Sequence, residues 1–239
     1  MANSPHYRHV HEHRFPDREA VAATLAAEIR TDLNEAIGVR GVASLVLSGG
    51  RTPIKLFQQL REEPIAWDKV WVTLADERWV ETNSADSNER LVREHLLTGP
   101  AQAARLVGLK NPAATPEAGI EWAWRALSRV PRPYDVLVLG MGNDGHFASL
   151  FPGSLGLAKA LDPHAKPACV AMNSLTAPHA RISLNLAAIL DSRRVILHIE
   201  GEEKWAVWQR AREGGSANEL PIRALLQQKA VAVDVYWAP

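Results

Sequence analysis

The stretch Tyr134-Asp135-Val136-Leu137-Val138-Leu139, running directly into Gly140-Met141-Gly142-Asn143-Asp144-Gly145-His146, decides the fold. Four successive aliphatic residues, with prolines upstream and glycines downstream, predict a short strand buried on both faces, which is how strands of a parallel sheet read. Working outward, the same alternation recurs. Upstream lies a helix over Glu117–Val130, with Ile120, Trp124 and Leu127 along one side and Glu121 with Arg125 at ion-pair spacing. Pro131 and Pro133 stop that helix. Before it, Thr98–Pro116 holds glycines, prolines and small residues and reads as a connecting segment. Asn88–Leu97 reads as a helix, and Val70–Leu74 as a strand with Asp76-Glu77-Arg78 just past its carboxyl end. Val42–Leu47 is another strand, preceded by a helix over Asp17–Ile37 in which Val21, Leu25, Ile29 and Leu33 recur every fourth residue. Gly38 and Gly41 punctuate that helix, and a first strand is expected within Tyr7–Phe15. Downstream, Arg181–Leu184, Val195–Ile199 and Val231–Tyr236 read as strands and Glu202–Arg212 as a helix. Strands alternating with helices through almost the whole length specify an α/β protein with helices covering a mainly parallel sheet.

Composition narrows the function. The 239 residues suit one domain spanning 1–239, and 46% hydrophobic residues suffice for a substantial core. Lys plus Arg and Asp plus Glu both total 27, so no net field attracts a polyanion and no nucleic-acid partner is expected. The lone cysteine, Cys169, forms no internal disulfide and reads as a buried small residue in a reducing compartment. Met1–Arg14 has the wrong composition for a secretory segment, and the longest apolar runs fall far short of the roughly 20 residues of a membrane span. A cytoplasmic protein without membrane contact is expected.

In open α/β sheets ligands bind where loops leave the carboxyl ends of strands, which directs attention to the loops after Leu47, Leu74, Leu139 and Ile199. The first, Ser48-Gly49-Gly50-Arg51-Thr52-Pro53, reads as a helix start with Thr52 as N-cap and Pro53 at the first helical position. Free N–H groups there would hold an anion, phosphate above all, and Lys55 would oppose the helix dipole without one. The loop lacks the G-x-x-x-x-G-K-[ST] spacing of a nucleotide P-loop. Gly140, Gly142 and Gly145 match G-x-G-x-x-G, but Pro152 and Gly153 cut the following segment short, and Asp162 does not end a strand, so a dinucleotide site is rejected. Instead Asp144 and His146 stand two apart, where a carboxylate can fix an imidazole as a general base. Alternation of His9, His11 and His13 is explained by an exposed first strand rather than a metal site. Neither G-x-S-x-G nor H-E-x-x-H occurs, so no nucleophile elbow or zinc-protease helix is indicated. Trp122 with Trp124 and Trp205 with Trp208 are read as packing residues, not a base-stacking platform.

Taken together, Leu47–Pro53, Asp76-Glu77-Arg78 with Ser87-Asn88, Gly140–His146 running into Ala148-Ser149-Leu150-Phe151-Pro152-Gly153, Arg181-Ile182-Ser183-Leu184, and Gly201 with Lys204 resemble the 6-phosphogluconolactonase branch of the glucosamine-6-phosphate deaminase/6-phosphogluconolactonase family. The blocks follow the family's order over roughly residues 45 to 205. The resemblance implies a three-layer α/β/α fold with a Rossmann-like sheet. It also implies hydrolysis of 6-phospho-D-glucono-1,5-lactone to 6-phosphogluconate in the oxidative pentose phosphate pathway, without metal or organic cofactor. His146 with Asp144 would then activate water. Ser48, Gly49, Gly50, Arg51 and Thr52, helped by Arg78, Arg181 and Lys204, would hold the sugar phosphate, with Arg78 facing either the phosphate or the carbonyl oxygen. The partner is that small molecule, and a monomer or small homo-oligomer is expected. Phe147 stands where the family usually has threonine and bears on pocket shape. Ser183 also replaces a threonine, and Arg51 a common serine. Two alternatives differ in sequence: amino-sugar phosphate deaminases resemble Ala-Phe-Asn-Glu-Pro-Gly where this chain has Ala148–Gly153, and a non-catalytic sugar-phosphate sensor would not need Asp144 and His146.

Overall fold

Two adjacent strands organise the molecule: β2 (Ala43–Leu47) and β6 (Val136–Leu139) pair in parallel, Leu45 against Val136 through Leu47 against Val138. Every residue of both is buried, so the sheet is covered on both faces and has helical layers above and below. The computed structural model describes residues 7–173 and 177–239. From β2 the chain moves to one side through α2 (Ile54–Leu60), β3 (Val70–Leu74), β4 (Asp76–Arg78), α3 (Asn88–His95), β5 (Arg105–Val107) and α4 (Pro116–Leu127). It returns to the other side of β2 at β6 and continues through α5 (Leu157–Ala160), β7 (Cys169–Met172), β8 (Arg181–Leu184) and α6 (Leu186–Leu190). Finally come β9 (Val195–Glu200), α7 (Glu202–Arg212), α8 (Arg223–Gln227) and β10 (Val233–Ala238), with β1 (Val10–Arg14) and α1 (Arg18–Arg40) at the start of the chain. The resulting parallel sheet has the order β1-β10-β9-β6-β2-β3-β5. The direction of winding reverses between β2 and β6, which opens a crevice at their carboxyl ends.

The long helix forms where its apolar stripe predicts. The Asp17 carboxylate accepts the Ala20 N–H at 2.8 Å, and Val21, Leu25, Ile29 and Leu33 are wholly buried. Gly38 lies inside α1, which runs on to Arg40. Termination falls to Gly41, whose left-handed φ of 76° lets its N–H reach the Ile37 carbonyl. On α4 the buried line is Pro116, Gly119, Ala123 and Leu127; Ile120 and Trp124 flank it half-buried, and Trp122 is 56% exposed. Small residues on the inner line bring this helix close, so the larger ones spread sideways. Trp208, by contrast, is fully buried. The connecting segment holds β5, a three-residue edge strand without a hydrophobic pattern of its own, because β3 supplies its register.

A second sheet departs from the expected plan. β4, β8 and β7 form a small antiparallel unit, with Arg78 opposite Arg181 and Asp76 opposite Ser183. Ala75 joins the two sheets: its N–H donates to Leu47 of β2, and its carbonyl accepts from Leu184 of β8. This junction places the Asp76–Arg78 and Arg181 residues over the same crevice.

His11 and His13 both approach Asp234 on β10, at 3.1 and 3.7 Å. Among the described residues no group of three or more His, Cys, Asp or Glu is placed to hold a metal ion, and no helix is long and apolar enough to cross a membrane. Cys169 is 2% exposed, and burial pushes its thiol up to about 12, which keeps it protonated and inert. At about pH 8 a thiol reagent should therefore leave the folded chain unmodified and label it completely in denaturant. Rapid labelling of folded chain would show that β7 opens readily.

Candidate active site

The crevice at the carboxyl ends of β2 and β6 is lined by Ser48, Gly49, Gly50, Arg51 and Thr52, by Asp76, Arg78 and Asn88, by Gly140, Met141, Gly142, His146 and Ala148, and by Arg181 and Lys204. All ten residues singled out from sequence meet here except Asp144, which lies behind His146. Its Oδ1 stands 2.6 Å from the imidazole Nδ1 and also accepts the His146 N–H at 3.1 Å. Burial raises the Asp144 pKa, but the hydrogen bond and charge of His146 outweigh it and hold the carboxyl below its ordinary value. With Nδ1–H donated to that carboxylate, Nε2 is left as the nitrogen with a free lone pair.

Local sequence explains the geometry. The Gly142 carbonyl accepts the Gly145 N–H and the Gly142 N–H donates to the His146 carbonyl, closing a tight turn that the left-handed φ of 76° at Gly145 permits. Ala148 then takes a left-handed φ of 48°, an unusual conformation for a residue with a side chain. In this segment His146 faces the cleft and Phe147 the core. Phe147 is wholly buried and lines no part of the cleft, so the expectation that it shapes the pocket is corrected. The ring that meets the imidazole is Phe151, with centroids 4.3 Å apart, and the Arg181 guanidinium lies 5.4 Å from the same Phe151 ring. One aromatic side chain thus spaces the imidazole from a cation. Ser183, buried, donates to the Leu184 carbonyl and accepts the Ser149 N–H.

The glycine loop corrects the capping expectation. Pro53, not Thr52, holds the N-cap position of α2, and no side chain caps that seven-residue helix. The Thr52 hydroxyl instead faces Lys204, whose Nζ lies 3.5 Å away. Lys55 turns outward to Glu19 at 2.6 Å and leaves the cleft altogether. Among the described residues no acceptor takes the N–H of Gly49, Gly50, Arg51 or Thr52. The Ser48 hydroxyl and the Arg78 Nε are buried without a hydrogen-bond partner among them as well. Arg78 is held by its Nη1 on the Asp86 carbonyl and Arg181 by its Nε on the His179 carbonyl. Burial pushes both Arg181 and Lys204 below their ordinary values, partly offset by Asp76 and Glu200 respectively. Unsatisfied donors and desolvated cations converging on one crevice favour a bound anion, which would restore hydrogen bonds and charge balance together.

Three further residues matter that the loop motifs did not single out. Asp76 binds the Ser149 hydroxyl at 2.5 Å and lies 4.0 Å from Arg181. Wholly buried, Glu77 accepts the N–H groups of Arg78, Asn88 and Glu89 and the Ser87 hydroxyl, so a carboxylate inside the protein caps α3. Its burial raises its pKa despite those donors. Asn143 reaches Glu203 at 2.9 Å and ties the glycine turn to the helix carrying Lys204. Position just after a strand's carboxyl end was the available signal for the Asp76-Glu77 pair.

The fold and crevice define a parallel α/β protein in which a carboxylate-paired imidazole stands beside free N–H groups and buried cations. Residues 16–237 match the family model described as glucosamine-6-phosphate isomerases/6-phosphogluconolactonase. The 6-phosphogluconolactonase of Pseudomonas putida is 43% identical over 227 residues, covering 95% of this chain and 92% of that one. The counterpart from Pseudomonas aeruginosa is 44% identical over 218 residues, covering 91% and 90%. A crystal structure of a 6-phosphogluconolactonase from Shewanella baltica superposes with a TM-score of 0.93 at 50% identity, covering 96% of this chain and 98% of that one. The chain belongs to the glucosamine-6-phosphate isomerase/6-phosphogluconolactonase family.

Gly142 exists to make room for the paired imidazole: a Cβ there would lie 2.2 Å from both Cε1 and Nδ1 of His146 and 2.7 Å from the Asp144 carboxylate. In nitrogen-15 NMR spectra the wild-type His146 ring should show the Nδ1-protonated tautomer with a hydrogen-bonded proton. Gly142→Ala should abolish that signature while leaving the remaining spectrum native. Persistence of the signature in the variant would contradict the close approach.

Proposed function

We propose that the chain hydrolyses 6-phospho-D-glucono-1,5-lactone to 6-phosphogluconate, the lactone-opening step of the oxidative pentose phosphate pathway, using water activated by His146. The observation that carries this reading is the pairing of His146 with Asp144 in the crevice that also holds the Ser48–Thr52 loop, Arg78, Arg181 and Lys204. Relatives named 6-phosphogluconolactonase, matched over nearly the whole chain, support the same reaction.

A lactone is an activated ester, so its opening needs a base for water and a stabiliser for the oxyanion, with no acyl-enzyme step. His146 Nε2 takes a proton from water as the water oxygen bonds to the lactone carbonyl carbon. The tetrahedral oxyanion collapses, the bond from that carbon to the ring oxygen breaks, and the imidazolium returns its proton to the departing oxygen. Asp144 keeps Nδ1–H in place throughout and stabilises the imidazolium. The phosphate rests on the Ser48 hydroxyl and the Gly49–Thr52 amides with Arg51, Arg181 and Lys204, while Arg78, across from Arg181 in the small sheet, adds fixed positive charge to the same field. Residues 1–239 act as one catalytic domain on a small sugar phosphate, and the reduced, buried Cys169 suits a cytoplasmic site of action.

With freshly generated lactone in a pH-stat or coupled assay, the wild-type protein should hydrolyse well above the spontaneous background. His146→Ala should lower kcat about a hundredfold or more. Glucosamine 6-phosphate should release no ammonia. Wild-type turnover in the His146→Ala variant, or ammonia release without lactone hydrolysis, would refute the proposal.

A further inference from the structure

Asn88 begins α3 at the wall of the cleft, with its side chain buried and 2% of the residue exposed. Its orientation is fixed by chemistry. The Asp76 carbonyl lies 2.9 Å from Nδ2 and the Asp76 Oδ1 lies 3.4 Å from it, and because both are acceptors the amide nitrogen must face them. The Asn88 main-chain N–H donates to Glu77 Oε1 at 2.7 Å, so this residue is pinned to β4 through backbone and side chain alike. Its remaining atom, Oδ1, has no hydrogen-bond partner among the described residues and presses against Gly49 on the opposite loop. A Cβ on Gly49 would stand 1.9 Å from Oδ1 and 2.3 Å from Cγ. Gly49 is not among the glycines with positive φ, whereas its neighbour Gly50 has a φ of 94°. Position 49 therefore requires glycine for space, and the space is occupied by Asn88.

We infer that Asn88 is a positioning residue: anchored by Asp76 and Glu77, its carboxamide is the stop against which Gly49 rests, and it sets the height of the Gly49–Thr52 amides that cradle the substrate phosphate. The role of the cradle rests on the function proposed above; the contact between Asn88 and Gly49 does not. Because the loop binds rather than reacts, its displacement weakens substrate binding and spares the chemical step. Asn88 touches neither His146 nor the reacting carbon in this scheme.

The test is a mutant cycle of Asn88→Ala, Gly49→Ala and the double variant, followed by thermal unfolding and by lactone kinetics. Each single change should raise KM about tenfold with kcat within about threefold, the split expected for lost ground-state binding. In the double variant the new methyl group fills the room left by the carboxamide, so KM should be no higher than in Asn88→Ala alone, well below the product of the two effects. Asn88→Asp keeps the shape but sets a carboxylate against Asp76, and should behave like Asn88→Ala. Thermal unfolding reads the contact independently of activity: Gly49→Ala should lower Tm, and adding Asn88→Ala should recover it. Multiplying effects in the double variant, wild-type KM in Asn88→Ala, or a fall confined to kcat would overturn the inference. A wild-type protein inactive on the lactone would sink the proposed function instead, and failure of Tm recovery would then still decide against the contact. Should Gly49→Ala fail to fold, a folded double variant supports the inference and an unfolded one overturns it.

Discussion

The pairing of β2 with β6 is the constraint on which the rest depends. It extends one bond beyond the strands, from the Ser48 N–H to the Val138 carbonyl at 3.1 Å, so the two loops begin side by side before diverging. Connections from these strands run to opposite sides of the sheet, and backbone cannot fill the gap between them. A glycine loop and a glycine turn thus face each other across a crevice whose floor is a buried, fully hydrogen-bonded sheet. Burying a single aliphatic side chain of that floor contributes about 1.5–3 kcal/mol, which holds the loop roots rigid while their tips stay free to carry polar groups.

The small antiparallel sheet supplies what the parallel one cannot. A purely parallel sheet offers loop residues on one rim, whereas the junction at Ala75 turns the chain so that Arg78 and Arg181 approach from above, as cross-strand partners. Two guanidiniums side by side repel, and Arg78 contributes to pushing the Arg181 pKa down. Asp76 offsets part of that repulsion, and main-chain carbonyls fix each head. Glu77 does for α3 what a bound anion does for other helices, consuming its terminal N–H groups internally. The unsatisfied donors of the site lie on the Ser48–Thr52 loop and on the Arg78 Nε. Preorganised positive charge of this kind costs stability in the empty protein and lowers the energy of an anionic ligand or transition state.

Much of this was legible from residue order. Apolar runs at Val42–Leu47, Val70–Leu74 and Tyr134–Leu139 mark buried strands because a strand covered on both faces has no polar side, and the four-residue recurrence from Val21 to Leu33 marks α1 because that stripe is what the sheet covers. The Asp144-Gly-His146 turn is equally local: a carboxylate two residues from an imidazole needs no distant element to reach it. Elements held by a neighbour's register were not legible. Lone triplets such as Arg105–Val107 and Asp76–Arg78 become strands through β3 and β8, and Cys169–Met172 through β8. The cap expected at Thr52 is not made because α2 begins one residue later, with Pro53 at the N-cap, and the Thr52 hydroxyl faces Lys204, 152 residues away. Phe147 is wholly buried and leaves the pocket while its neighbour His146 lines it, a placement that composition does not announce.

Sequence alone determined the fold class and the strands that form the crevice, since hydrophobic period acts over a few residues, and its motif blocks resembled the family to which the chain belongs. Tertiary structure decided which groups from distant segments face one another: Arg78 with Arg181, Lys204 with Thr52, Phe151 with His146, and Asn88 with Gly49. Those encounters depend on strand order and on the junction between two sheets, and both are set by the packing of the whole chain rather than by any local stretch of it.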